Sequence, residues 1–357
     1  MNERPQSISI LSAMIEKEAD QKKPVSFYRV RLNDKVIDYP ILKQGDALIC
    51  SRQNISVIKA PAKSAKTFFT SILMSSFLGN TGYELSTPVK DGIALCIDTE
   101  QSNSTVLKCL KRVHFISDMD DDNDNLVFLS VNEMGATELI DFVREAVEFY
   151  KPDLVIIDGT VDLIADFNSI EESTLVVTFV RQLAIKHNCH IVNVLHEGKN
   201  NKELRGHLGA FMKNKCETVF QLTKESNLVT ITPDSTRHQP FTDWSFLINE
   251  DGLPEYNGSV IPVPKNGKVK LDPINVNSGT HEQLLKKVFE ISSVQNYKDL
   301  YENIQERWSN LTGGTMGVSK AKEFVTFYKN NEYLSSEIKG KNSFYKCNKL
   351  VLDSVGK

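Results

Sequence analysis

From residue 92 to residue 196 the chain repeats one pattern. A short run that is apolar throughout is followed by a longer stretch with apolar residues at helical spacing. The short runs are "GIALCID" (92–98), "NLVFLSV" (125–131), "DLVIID" (153–158) and "HIVNVLH" (190–196). Between them lie "STVLKCLKRVHFI", "ATELIDFVREAVEFY" and "EESTLVVTFVRQLAIKH". A strand that is apolar on both sides must be covered on both faces, and parallel strands need helical crossovers. The pattern predicts an α/β chain, doubly wound, around a mainly parallel sheet.

The flanking segments add detail. Residues 1–23 read as a short amphipathic helix with Ile8, Ile10, Leu11, Met14 and Ile15 as its apolar stripe. From 25 to 58 come strand-like pieces, "VSFYRVRL", "VIDYPIL", "ALICS" and "ISVIKA". "TFFTSILMSSFLG" reads as a helix ended by Gly79. After residue 216, "ETVFQLTKE", "LVTITPD" and "WSFLINEDG" predict consecutive strands, an antiparallel extension of the sheet. Residues 257–280 are rich in Pro, Gly, Asn and Ser and read as a linker. The expected organisation is an N-terminal arm with strands (1–45), an α/β core (46–256), the linker, and a small unit from 281 to 357.

Composition narrows the function classes. The formal charge is −4, so no global basic field draws the chain to nucleic acid, and such contact must come from a local patch. The six cysteines form no C-x-x-C pair, and Cys50, Cys96, Cys189 and Cys216 lie in or beside apolar runs. Buried thiols in a reduced, cytoplasmic protein are expected, rather than a disulfide framework. No apolar run approaches the length of about 18 residues that a membrane helix needs.

The site candidates lie where the predicted strands end. "ISVIKA" runs into "APAKSAKTF", residues 60–68, and a helix follows. A phosphate-binding loop reads G-x-x-x-x-G-K-[ST] between a strand and a helix. Lys66 and Thr67 fit its end, while Ala60 and Ala65 replace both glycines. The candidate nucleotide-binding residues are Ala60, Pro61, Ala62, Lys63, Ser64, Ala65, Lys66, Thr67 and Phe68. Backbone amides at a helix N-terminus would face the phosphates, Lys66 would add charge, and Thr67 would hold Mg²⁺. Alanine costs little at negative φ and about 1–2 kcal/mol at positive φ. The plain alternative is a helix start that carries Lys-Thr by chance.

Three other predicted strands end in chemistry. Asp158 closes "PDLVIID", where a carboxylate partner for Mg²⁺ belongs, although aspartate also caps helices and turns there. "ALCIDTEQS" carries Asp98 and Glu100, and a carboxylate there could orient water as general base. His196 ends "NVLH" and could sense a γ phosphate, against the ordinary structural role of a lone histidine. All four positions fall at the carboxyl ends of strands, the rim where open α/β sheets bind ligands.

The set "APAKSAKTF", "GIALCIDTEQS", "PDLVIIDG" and "NVLHEGKNNKELRG" resembles the RecA-like ATPases, in particular the RepA-type hexameric helicases of plasmids and mobile elements. The resemblance spans roughly residues 45–250. It implies ATP and Mg²⁺ as cofactors. Lys66 and Thr67 would act on phosphates and metal, Asp158 on the metal, Glu100 on water, and His196 as γ-phosphate sensor. It implies a ring, a homo-hexamer, with single-stranded DNA in its channel. There "KNNKELRGHLGAF" would be a mobile loop and Lys199, Lys202 and Arg205 its backbone contacts. Arg237 would be an arginine finger delivered to the neighbouring subunit. The two alanines depart from the pattern and bear on turnover more than on fold.

The C-terminal unit predicts three helices, "THEQLLKKVFEI", "NYKDLYENIQERWSNL" and "SKAKEFVTFYKNNEYL", the last capped by Ser319, and then a hairpin with Gly340 in its turn. That is the winged-helix order. Residues 318–349 hold seven lysines against three glutamates, which fits a DNA reader with Lys320, Lys322, Lys339 and Lys341 as contacts. The alternative is a winged helix for protein contacts whose lysines only solvate it. For the whole chain the expectation is an ATP-dependent motor on DNA in replication or mobilisation of a mobile element. A weakly hydrolysing or inactive homologue, serving as a DNA-binding regulator or scaffold, is the alternative. A small-molecule kinase explains neither the basic tail nor Glu100.

Overall fold

A computed structural model describes residues 24–34, 39–198, 203–259, 278–290, 292–312, 315–339 and 342–348, together with residues 12, 273 and 276. The chain divides into two compact units, Met1–Gly258 and Ser259–Lys357.

In the first unit, β1 (Pro40–Gln44) and β2 (Ala47–Ser51) form an antiparallel pair. The large sheet has nine strands. In chain order they are β3 (Asn54–Ala60), β4 (Ala94–Asp98), β5 (Leu126–Ser130), β6 (Leu154–Asp158), β7 (His190–His196), β8 (Thr218–Glu225), β9 (Leu228–Thr236), β10 (Trp244–Ile248) and β11 (Pro254–Ser259). Their spatial order is β11-β10-β9-β8-β3-β7-β6-β4-β5. Strands β8, β3, β7, β6, β4 and β5 run parallel, and β9 and β10 continue the sheet antiparallel. The strand after β7 is therefore still parallel, and the antiparallel extension begins one strand later than its sequence suggests.

The helices are α1 (Lys66–Phe77), α2 (Asn103–Ile116), α3 (Ala136–Tyr150), α4 (Ile170–Lys186) and α5 (Gly206–Lys215). Side chains of successive strand residues divide between two cores. Ile55, Val57, Leu95, Ile97, Val155 and Ile157 meet α3, α4 and α5 on one face. Ile58, Ala60, Ala94, Cys96, Leu154 and Ile156 meet α1 and α2 on the other. This is the doubly wound cover that uniformly apolar strands demand. β1 belongs to the second core through Ile41 and Leu42, so the core begins before residue 46.

Three expectations are corrected. "VSFYRVRL" holds a 3₁₀ turn, Val25–Tyr28, and no strand. Part of "KNNKELRGHLGAF" is the helix α5, with Leu208 and Met212 buried, rather than loop throughout. Residues 257–259 complete β11, so the sheet extends into the expected linker. The predicted helix at 1–23, all but one residue of it, lies outside the described residues.

The second unit contains α6 (Ser278–Phe289), β12 (Gln295–Asn296), α7 (Tyr297–Thr312), α8 (Val318–Asn330), β13 (Leu334–Lys339) and β14 (Asn342–Cys347). The strands pair antiparallel in the order β12-β14-β13. The core packs Leu284, Val288, Ile304, Trp308, Phe324 and Tyr328. His281 is buried, with Nε2 3.0 Å from the Pro273 carbonyl and Nδ1 2.9 Å from the Tyr328 hydroxyl. A carbonyl only accepts, so Nε2 carries the proton and Nδ1 accepts from Tyr328. α8 starts at Val318 after Gly317, so Ser319 lies inside the helix and is not its cap. The hairpin turn at 340–341 lies outside the described residues.

Candidate functional site

Strand register assembles the site. Asp98 of β4 pairs with Asp158 of β6, Asp158 with Val194 of β7, and Ala60 of β3 with His196. The carboxyl ends of four parallel strands thus form one rim. Asp98 and Asp158 continue the alternation of Ala94, Cys96, Leu154 and Ile156, so both face the side on which α1 packs.

α1 brings Lys66 into this rim. The helix is held by Phe69, Ile72, Leu73 and Phe77, all buried. At about 1.5–3 kcal/mol each, their burial far exceeds any strain in the preceding turn. That strain is real at one alanine. Ala65, immediately before α1, has φ 66° and ψ 29°, the left-handed region that favours glycine. Lys63 also has φ 60°. Ala60 is not among the positive-φ residues, and it is wholly buried at the end of β3. One substitution costs backbone strain and the other is an ordinary strand end. Ser64 Oγ donates to the Pro61 carbonyl (2.6 Å) and closes the turn.

Lys66 Nζ lies 3.3 Å from the Pro61 carbonyl and 3.1 Å from His196 Nδ1. An ammonium only donates, so Nδ1 accepts and the imidazole proton sits on Nε2. Nε2 in turn faces Glu100 Oε1 at 3.4 Å. Lys66, His196 and Glu100 therefore form one donor chain across the rim. Burial pulls the Lys66 pKa down, opposed by Asp158, Glu100 and Glu197. The hydrogen bond from His196 holds Glu100 below the usual carboxylate range, so it is ionised at neutral pH.

Asp158 behaves oppositely. It is almost wholly buried, and burial together with the neighbouring Asp98 and Glu100 carboxylates pushes it up to about 7. Asp98 is raised by burial too, although it accepts from the Glu100 and Gln101 amides (3.1 and 2.8 Å) and from Gln101 Nε2 (2.9 Å). Gln101 Nε2 also lies 3.5 Å from Thr67 Oγ1, which ties the hydroxyl to the carboxylates. Crowded carboxylates beside a hydroxyl are hard oxygen donors that suit Mg²⁺. Among the described residues no group of three or more His, Cys, Asp or Glu could by itself hold a metal. Mg²⁺ is commonly shared between one or two carboxylates and phosphate oxygens, so the residues fit that ion.

Sequence reasoning missed the supports. Thr99 Oγ1 donates to Asp162 (2.6 Å) and lies 3.0 Å from the Asp158 carbonyl, which fixes the segment carrying Glu100. Gly159, at φ 107°, leaves room for this, because a Cβ there would lie 2.0 Å from Thr99 Oγ1. Arg112 lies over the Phe68 ring, 3.8 Å from its centroid, with NH1 3.5 Å from the Thr67 carbonyl. The glycine after Asp158 and the hydroxyl before Glu100 were visible in sequence, but only their contact explains them.

The remaining candidates make other contacts. Arg237 follows β9, whose Thr236 pairs with Thr218 at the start of β8, so it sits on the opposite rim. There it donates to the Cys216 and Lys215 carbonyls (3.1 and 3.0 Å). Arg205 precedes α5 and stacks over Phe167 at 4.3 Å. Lys320 pairs with Glu323, and Lys322 Nζ lies 4.9 Å from the Tyr301 ring centroid. Lys199, Lys202, Lys341 and the side chain of Lys339 lie outside the described residues.

Residues 46–202 match the family model described as "AAA domain", which supports a P-loop ATPase core. No curated protein matches the chain. A solved structure titled "ATPase Domain of G40P" is 13% identical and covers 58% of this chain and 86% of that chain, with a TM-score of 0.42. A likeness at that level has no bearing on function.

Proposed function

We propose that the chain is an ATP-dependent motor acting on DNA, a RecA-like ATPase of the RepA helicase type with a winged-helix tail. Its setting would be replication or mobilisation of a mobile genetic element. The observation that supports this best is the convergence of Lys66, Glu100, Asp158 and His196, from separate strand ends, on one rim.

In this reading the backbone N–H groups from Ala62 to Lys66 cradle the phosphates of ATP. Phosphate oxygens replace the Pro61 carbonyl and His196 as partners of the Lys66 ammonium, which frees His196 Nδ1. Glu100, ionised, takes a proton from the water that attacks the γ phosphorus, and the bond to the ADP oxygen breaks. Thr67 and Asp158 would hold Mg²⁺, which neutralises charge on the transferred phosphoryl group when bound. Arg237 sits on the far rim of its own subunit. Its role as a finger requires delivery to a neighbour, in a heterologous interface that closes into a hexamer. Lys199, Lys202 and Arg205 would grip single-stranded DNA, and Lys320, Lys322, Lys339 and Lys341 would contact the phosphates of bound DNA.

The left-handed Ala65 favours a second reading. A strained loop binds nucleotide and turns it over slowly, and the protein then serves as a DNA-binding regulator or scaffold. ATP hydrolysis with and without single-stranded DNA, for wild type and Lys66→Ala, separates the two. A motor gives DNA-stimulated turnover that Lys66→Ala reduces to background. Equal background rates in both proteins overturn the motor, and ATP binding without turnover leaves the regulator.

A further inference from the structure

β3 carries a lysine where its alternation calls for an apolar residue. Ile55 and Val57 face α3, α4 and α5, and Lys59 is the next position on that face. Its side chain is only 3% exposed. Lys59 Nζ donates to Asp234 Oδ1 of β9 at 2.7 Å. The other oxygen of Asp234 lies 2.8 Å from Lys213 Nζ of α5. Lys213 also reaches Glu203 Oε2, just ahead of that helix, at 3.1 Å. Burial opposes a charge on Asp234, yet the bonds from Lys213 and Lys59 hold its carboxyl below the usual range, so it is ionised. One chain of charges therefore joins β3, β9 and α5.

Such a chain adds little to stability, because desolvation offsets the attraction between its members. Its consequence is mechanical. Parting a buried ammonium from its carboxylate is strongly unfavourable, so the partners shift together. The inner end of the chain is two residues from Pro61, whose carbonyl accepts from Ser64 and Lys66. A phosphate that takes over Lys66 alters this turn. The outer end of the chain holds α5, which Arg205 immediately precedes.

We infer that Lys59, Asp234 and Lys213 transmit nucleotide binding at the phosphate loop to α5, with Lys59 as a positioning residue that sets the place of Arg205. The inference rests on the reading of residues 60–68 as a nucleotide site and is independent of any DNA contact. Lys59 itself does not hold the nucleotide, since its side chain lies on the face away from α1.

Hydrogen exchange of the α5 amides tests this in the full-length chain, with and without a non-hydrolysable ATP analogue and Mg²⁺. Titration calorimetry first establishes saturation for each protein. In wild type the exchange of residues 206–215 should change about fivefold or more on binding. Lys59→Met is an apolar replacement of similar length that leaves Asp234 paired with Lys213, and it should abolish that change. Lys213→Met cuts the chain at its partly exposed end, where loss of the fold is not at issue, and should do the same. Lys215→Met removes the same charge from an exposed position of α5 and should respond as wild type does. A merely structural chain would shift α5 exchange in every state and leave the nucleotide-dependent difference in place. An analogue that binds wild type without altering α5 overturns the inference. So does a response that survives both chain substitutions because it runs along the backbone from His196, or a Lys215→Met response as weak as theirs. Absence of calorimetric binding to wild type removes the nucleotide reading and the inference with it, and is thereby told apart from failure of the inference alone.

Discussion

At the scale of single residues, the two alanines of the phosphate-type loop differ in consequence. Ala60 continues a strand, whereas Ala65 holds φ 66° with a Cβ that opposes it. Ala65→Gly removes that opposition while freeing the unfolded chain, so the net gain in stability is expected to be about 0–1 kcal/mol. ATP affinity should rise with it, read by calorimetric titration of both proteins. A loss of stability would show that the methyl group packs better than the backbone strains. Asp158 sets a pH dependence. Its pKa is raised to about 7 in the fold against a usual value near 4, so the folded state binds the extra proton between those pH values. Stability of the metal-free chain should therefore fall as pH rises from about 4 through about 7, by at most about 4 kcal/mol. Mg²⁺ competes with that proton, so its affinity should rise over the same window. Asp158→Asn should flatten both profiles, as thermal melts with and without Mg²⁺ would read.

At the scale of elements, α5 shows where pattern reading fails. Its "RGHLGAFMKNK" holds two glycines, which argue against a helix by propensity. Gly206 adopts φ 70° against the Phe167 carbonyl, and a Cβ on Gly209 would lie 2.5 Å from that of Leu204. Both glycines serve close packing, and burial of Leu208 and Met212 overrides propensity. α8 is the converse, since its apolar spacing is plain and only its ends were misplaced, at the Ser319 cap and at a C-terminus that stops at Asn330 before β13. Its lysines carry a prediction. In the proposed DNA-contacting role of this unit, Lys322→Ala should weaken DNA binding evenly across sequences and lower the salt slope by about 1. Lys320 must first leave Glu323, so Lys320→Ala should cost less. Binding measured against salt for several DNA sequences checks both, and effects confined to one sequence would argue for base reading instead.

At the scale of the whole molecule, the α/β alternation was legible because burial on both faces leaves its mark in every strand residue. Asp98, Asp158 and His196 could be picked out because each closes such a run, Glu100 because it follows one by two residues, and Lys66 because it starts the helix after the loop that follows another. Their meeting was not legible. Strand order depends on which crossovers pack, and β7 lies between β3 and β6 although it follows both in the chain. The supports Thr99, Gly159 and Arg112 had no signal of their own, since their partners come from other elements. The sequence by itself determined the layers and the strand ends that bear polar groups, since hydrophobic spacing is local information. Only the tertiary structure decided which strand ends became neighbours, which alanine is strained, and that "VSFYRVRL" holds a 3₁₀ turn at Val25–Tyr28 rather than a strand. Those outcomes depend on register and packing between segments far apart in the chain, which no local pattern encodes.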